Sequence, residues 1–172
     1  MKEAKKQQKN SVKKIILAVI LISILVVSNI FFMCFRIFSD SMSPYLNKGD
    51  YVVSIKLNNY KQGDVILFER DGKILVRRII ANSGQKIDFD ENGNVFIDDK
   101  LLHEPYITLK SLDPCNIDLP YNVTENNFFV MGDNRKESLD SRTNTISFVK
   151  RDEILGKVFL RNYPFKNFMF VR

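Results

Sequence analysis

Apolar residues fall in two distinct patterns along the chain. The first is one unbroken run, Ile15 to Phe35, IILAVILISILVVSNIFFMCF, with no charge and only Ser23, Ser28 and Asn29 polar. Twenty-one residues make roughly 31 Å of helix, close to the hydrocarbon thickness of a bilayer. A cleaved export signal has a shorter apolar region followed by small residues. Here Phe35, Arg36, Ile37 and Phe38 follow, so a retained transmembrane anchor is expected over 15–35. The second pattern is a series of short β-branched and aromatic runs. They are Tyr51–Leu57, Val65–Phe68, Ile74–Ile80, Phe128–Met131 and Lys157–Arg161, each predicted as a strand. Turn signals separate them at 48–50, 62–64, 71–72 and 132–134. Asn92-Gly93, between Ile87–Asp90 and Val95–Asp98, predicts a tight hairpin. Residues 81–127 are more polar and read as an insertion between two core halves. The tail Tyr163–Arg172 reads as a last edge strand, or as an aromatic, basic surface for lipid.

Charge sharpens this division. The chain has 172 residues, 26 Lys+Arg, 20 Asp+Glu and a net charge of +6. Residues 1–14 hold six lysines against Glu3, so nearly all of the excess precedes the apolar run. The remainder is close to neutral, which argues against nucleic-acid binding. By the positive-inside rule, 1–14 is expected in the cytoplasm and 36–172 outside. The latter stretch is long enough for one core. One His and two Cys leave no metal set and no disulfide framework. Cys34 and Cys115 have no neighbour that would activate them and are expected to act as small apolar residues.

Three stretches concentrate reactive side chains. Phe38-Ser39-Asp40-Ser41-Met42-Ser43-Pro44 follows the apolar run directly. Arg77-Arg78 interrupts an otherwise apolar strand. Adjacent strand residues face opposite sides, so one should meet solvent and the other should point inward, where a buried Arg needs a partner. Gly132 to Arg142, GDNRKESLDSR, is dense in hydrogen-bonding groups right after a strand, a pattern that suits the support of a site.

In order, basic tail, anchor, S-M-x-P at 41–44, G-D-V-I-L-F at 63–68, R-I-I at 78–80, E-P-Y at 104–106 and G-D-N-R-x-x-S-x-D-S-R at 132–142 resemble the type I signal peptidases. These are membrane-anchored serine endopeptidases of the Ser/Lys class. The resemblance implies a mainly β fold of coiled antiparallel sheets with a β-hairpin insertion, behind a single N-terminal transmembrane helix. It implies that Ser41 is the nucleophile and that Ser39 helps hold the oxyanion. Met42 and Pro44 would shape the turn and pocket, and Ser138 would orient the basic residue of the dyad. Asp140 and Arg142 would brace the site as an ion pair, with Arg78, Asp133 and Arg135 in the same support. It also implies no cofactor, an exported preprotein cut after a small-x-small sequence, and a place at the outer face of a cell membrane, in a Gram-positive bacterium.

One position departs from the pattern. The register places Arg77 where the family has the general-base Lys. A guanidinium, with a pKa above about 12, does not give up its proton usefully. A serine hydroxyl stays a weak nucleophile until a neighbour removes its proton. Lys73, His103 and Asp40 are candidate substitutes. Lys73 lies about 13 Å along the strand from Arg77, His103 falls in the polar insertion, and an exposed Asp40 is a weak base. Two functions follow: a signal peptidase I-type endopeptidase, or a catalytically weakened homologue that binds peptides or assists pilus assembly, with pilin-like partners.

Overall fold

The computed structural model describes residues 13–23, 32–110 and 115–171. The chain forms two compact units, Met1–Met33 and Cys34–Arg172. In the first, residues 13–23 are helical and every described side chain is exposed, including Ile15, Ile16, Leu17 and Ile20. Residues 24–31 of the expected anchor lie outside the described residues. Among the described residues no helix is long and apolar enough to cross a membrane. The expected helix also stops short of Phe35, because Phe32–Arg36 forms strand β1. Phe-Met-Cys-Phe suits a strand as well as a buried helix, so composition leaves that boundary open.

The second unit is built from two antiparallel sheets. The larger contains β1, β2 (Tyr51–Ile55), β3 (Val65–Arg70) and β4 (Lys73–Ala81). The smaller contains β5 (Lys86–Phe89), β6 (Val95–Ile97), β7 (Lys100–Leu101) and β8 (Tyr121–Asn122). The chain then returns to the larger sheet with β9 (Asn127–Met131), β10 (Val149–Lys150), β11 (Ile154–Tyr163) and β12 (Met169–Phe170). The larger sheet runs β1-β2-β11-β3-β4-β9-β10, with β12 also on β11. The smaller runs β7-β6-β5-β8. The polar insertion is therefore a sheet in its own right. Ile87, Val95, Ile97 and Val123 pack there with Ile80, Phe129 and Met131 from the ends of β4 and β9.

Covered on both faces, β3 needs no alternation. Val65 and Leu67 join Met42, Leu46, Val52 and Val76 in one cluster. Ile66 and Phe68 join Ile79, Phe128, Val130 and Ile154 in another. This explains the continuous VILF run. It also corrects the expectation that one arginine of the pair meets solvent: Arg77 and Arg78 are both buried.

Asn92-Gly93 lies in the turn of the β5–β6 hairpin as expected, the Gly93 N–H donating to the Asp90 carbonyl at 2.9 Å, and a still shorter hairpin joins β3 to β4. Asp71 (φ 52°) and Gly72 (φ 69°) alone join β3 to β4, with Arg70 paired to Lys73. The β5–β6 loop runs from Asp90 to Asn94, held by Asp90 Oδ1, which accepts from the backbone N–H of Asn92 and of Asn94. The tail is only partly an edge strand. Tyr163 closes β11, residues 165–167 form a 3-10 turn, and Met169–Phe170 pairs with β11.

Candidate active site

Ser41 sits in the turn that follows β1, and Met42 anchors it. The Met42 side chain is fully buried in the core. The Leu46 N–H donates to the Met42 carbonyl at 2.8 Å, and the Ser43 N–H to the Asp40 carbonyl at 3.0 Å. Pro44 lies on the outer side of this turn, exposed, after a cis peptide bond. The loop after β9 clamps the turn from the other side. The Asn134 N–H donates to the Ser41 carbonyl at 3.0 Å, and Asn134 Nδ2 to the Asp40 carbonyl at 3.2 Å.

Gly132 makes this approach possible. A Cβ there would come within 2.5 Å of the Ser41 carbonyl oxygen and 2.2 Å of Ser138 Oγ. No side chain fits in that gap. Its N–H donates to Asp140 Oδ2 at 3.1 Å, and its carbonyl accepts from Arg135 Nε at 3.1 Å. Arg142 grips Asp140 with Nε to Oδ1 at 2.9 Å and Nη2 to Oδ2 at 3.0 Å. Arg142 Nη2 also donates to the Arg135 carbonyl at 2.6 Å. Asp140 and Arg142 therefore fix the strand end that Ser41 docks against.

Arg135 and Asp133 do not pair with each other. Arg135 pairs with Glu104 across the loop from the smaller sheet, Nη1 to Oε2 at 3.1 Å, with Nη2 close to Oε1. Asp133 pairs with Arg78 through two bonds, Nε to Oδ1 at 2.9 Å and Nη2 to Oδ2 at 2.6 Å. The Arg78 guanidinium also lies between the rings of Tyr106 and Tyr45, at 4.1 and 4.8 Å. Burial opposes its charge, but the Asp133 carboxylate outweighs burial and holds it above its ordinary value. Burial, reinforced by the Glu104 carboxylate, pushes the Tyr106 phenol well up, so it stays a donor, to Glu104 Oε1 at 2.8 Å.

Arg77 turns the opposite way, towards Ser41. Its Nη1 donates to Ser41 Oγ at 2.7 Å and to the Val76 carbonyl at 2.6 Å. Nε and Nη2 both donate to the Leu139 carbonyl, at 2.9 and 2.7 Å. No carboxylate bonds to it among the described residues. Burial pushes its pKa down to about 10, partly offset by Asp140, with Arg142 lowering it further. It is therefore still a cation at neutral pH. Ser39 Oγ lies 3.1 Å from Ser41 Oγ. Ser138 Oγ is buried and has no hydrogen-bond partner among the described residues, while the guanidinium donates to the neighbouring Leu139 carbonyl.

The other basic candidates lie elsewhere. Lys73, His103 and Asp40 are exposed, and the Asp40 carboxylate accepts from the Lys48 N–H at 3.2 Å. Cys34 and Cys115 are free, and burial pushes the Cys115 thiol up, which keeps it unreactive. Two site features escape sequence reasoning: Leu139 contributes a backbone carbonyl, and Gly132 contributes an absence. Glu104 and Tyr106 are conspicuous only as a motif, with nothing to indicate that they serve Arg135 and Arg78.

A serine hydroxyl between a second hydroxyl and a buried basic side chain, on an all-β scaffold, defines a serine-hydrolase type of site. The chain belongs to the signal peptidase family, peptidase S26, whose family model matches residues 8–163. It is 32% identical over 165 residues to signal peptidase I S of Bacillus subtilis, covering 89% of this chain and 88% of the relative. It is also 32% identical over 139 residues to inactive signal peptidase IA of Staphylococcus aureus, covering 74% and 76%. A signal peptidase I structure from Enterococcus faecalis aligns at 25% identity with a TM-score of 0.46, over 59% of this chain and 98% of its own. The Bacillus and Staphylococcus relatives share the same identity with this chain, over 165 and 139 residues, and the second is described as inactive.

Proposed function

We propose that this protein holds extended segments of exported proteins at a membrane surface and does not hydrolyse them at neutral pH. The observation that carries this reading is the 2.7 Å hydrogen bond from the Arg77 guanidinium to Ser41 Oγ. For acyl transfer the Ser41 hydroxyl must lose its proton as Oγ attacks a carbonyl carbon, and the proton must later reach the leaving amine. Arg77 already donates to that oxygen and has no lone pair to offer. With its pKa lowered only to about 10, it stays protonated at pH 7. The only other hydrogen-bond partner of Ser41 Oγ among the described residues is Ser39, itself a hydroxyl. Losing a general base costs about 10²–10⁴ in rate.

Peptide binding needs none of this. A small cleft lined by Ser39, Ser41, Met42, Leu75 and Val76 lies beside the site. The lysine-rich 1–14 and the apolar 15–35 support a membrane location with 36–172 outside. Exposed Tyr163, Phe165, Phe168 and Phe170 with Lys166 support contact with lipid. Partners would be preproteins or pilin-like proteins. A working peptidase is the second reading, favoured by the intact Ser39–Ser41 pair.

The test incubates the full chain in detergent micelles with a preprotein carrying a small-x-small site at neutral pH, beside Ser41→Ala. The proposal expects binding by both and no cleavage above the Ser41→Ala background. Cleavage that depends on Ser41 establishes the peptidase reading instead.

A further inference from the structure

The buried arginines around the site outnumber the carboxylates that face them. Arg78 has Asp133, Arg135 has Glu104 and Arg142 has Asp140. Arg77 has two carbonyls and the Ser41 hydroxyl. Asp140 is its nearest source of negative charge, and both oxygens of Asp140 are already bonded to Arg142. One buried cation is therefore left without a counter-ion, an arrangement that is costly on its own and favours an anionic ligand.

The cleft that reaches this cation is narrow and otherwise apolar. Arg77, Ser41 and Ser39 lie on it beside Ile37, Leu75 and Val76. Its cavity volume is about 40 Å³, little more than the roughly 30 Å³ a water molecule occupies. That admits one methyl-sized side chain and nothing larger. Ser41 Oγ accepts from Arg77, and in the Ser39–Ser41 hydrogen bond one hydroxyl donates to the other, so one O–H of the pair is free to donate outward.

We propose that this site recognises the free C-terminal carboxylate of an extended peptide ending in a small residue, the chemical form left when a peptide bond has already been cut. The carboxylate accepts from the outward O–H of the Ser39–Ser41 pair, and the Arg77 charge behind Ser41 balances it. A neutral base in the same place would favour an uncut peptide bond equally well; a fixed cation favours the acid. This deepens the peptide-binding reading and rests on it. It assigns the protein to the product side of a peptide-cleaving reaction carried out elsewhere.

The experiment measures binding of fluorescent peptides ending in Ala-x-Ala to the full chain in detergent micelles, as free acid and as C-terminal amide. Hydrogen bonds to charged groups predict that the acid binds at least about tenfold more tightly. Arg77→Gln should abolish the preference, read as the ratio of acid to amide affinity within that variant. Ser39→Ala, at an exposed position that does not threaten folding, should reduce it about threefold. Equal binding of acid and amide, or a preference that survives either substitution undiminished, overturns the proposal while leaving the peptide-binding reading intact. Binding of neither peptide overturns both. Decanoate, a carboxylate without a peptide backbone, should bind at least about tenfold more weakly than the peptide acid; equal binding would reassign the cleft to fatty acids.

Discussion

Arg77 and Arg78 are consecutive on β4 and equally hidden from solvent, but they serve different surroundings. Arg78 faces a carboxylate on two parallel bonds with an aromatic ring on each side. Arg77 faces neutral oxygens only, one of them the Ser41 hydroxyl. The strand pleat separates the two environments. Burial therefore does not assign a role; the partner does. The Arg78 side is a closed ion pair that joins β4 to the loop after β9. The Arg77 side is electrically open and faces the cleft.

Removing each side's key group should separate them most strongly. Asp133→Ala strands a buried guanidinium and should cost about 3–5 kcal/mol, read as a fall in the denaturation midpoint. Arg77→Gln removes a charge that lacks a partner, so its cost should be well below that of Asp133→Ala under the same conditions. Equal losses would erase the distinction between the two sides.

The second comparison is catalytic. Arg77→Lys places an amine in a site that disfavours charge, where burial lowers an ammonium towards neutrality. Ser138 Oγ, now without a partner, is available to accept from it. Preprotein cleavage by this variant should exceed the parent's by about 10²-fold or more. An inactive Arg77→Lys would mean that the site has lost more than its base.

The pH dependence follows with its sign. Burial lowers the Arg77 pKa from its ordinary value to about 10, so the full cost of burying its charge is present at neutral pH and is relieved only as pH rises through 10. The stability difference between the parent and Arg77→Gln should be flat from about pH 6 to 9. An inflection near pH 7 in urea titrations run across that range would show that the group is not an ordinary guanidinium. The smallest effect is expected from the exposed candidates. Lys73→Ala and His103→Ala should leave peptide binding within about twofold, as surface substitutions generally do.

Much of this arrangement is legible in sequence because it is carried by side chains. The apolar runs of β3 and β4 mark strands, and S-M-x-P with the 132–142 motif marks the two loops that meet. What escapes is carried by backbone or by very short pairings. Leu139 acts through its carbonyl, Gly132 through the room it leaves, and β7, β8, β10 and β12 are two residues each, too short for any periodicity. The fates of Arg77 and Arg78 are undecidable from adjacency alone, because both faces of the strand are covered.

On the proposed reading, Ser41 has no group among the described residues to take its proton. An activated peptide ester ending in Ala, mixed with the full chain at neutral pH and read by intact mass, tests it directly. The account predicts that the parent mass stays unchanged and that Arg77→Lys gains one acyl group, lost again when Ser41→Ala is added. Rapid stoichiometric acylation of Ser41 in the parent chain would contradict it.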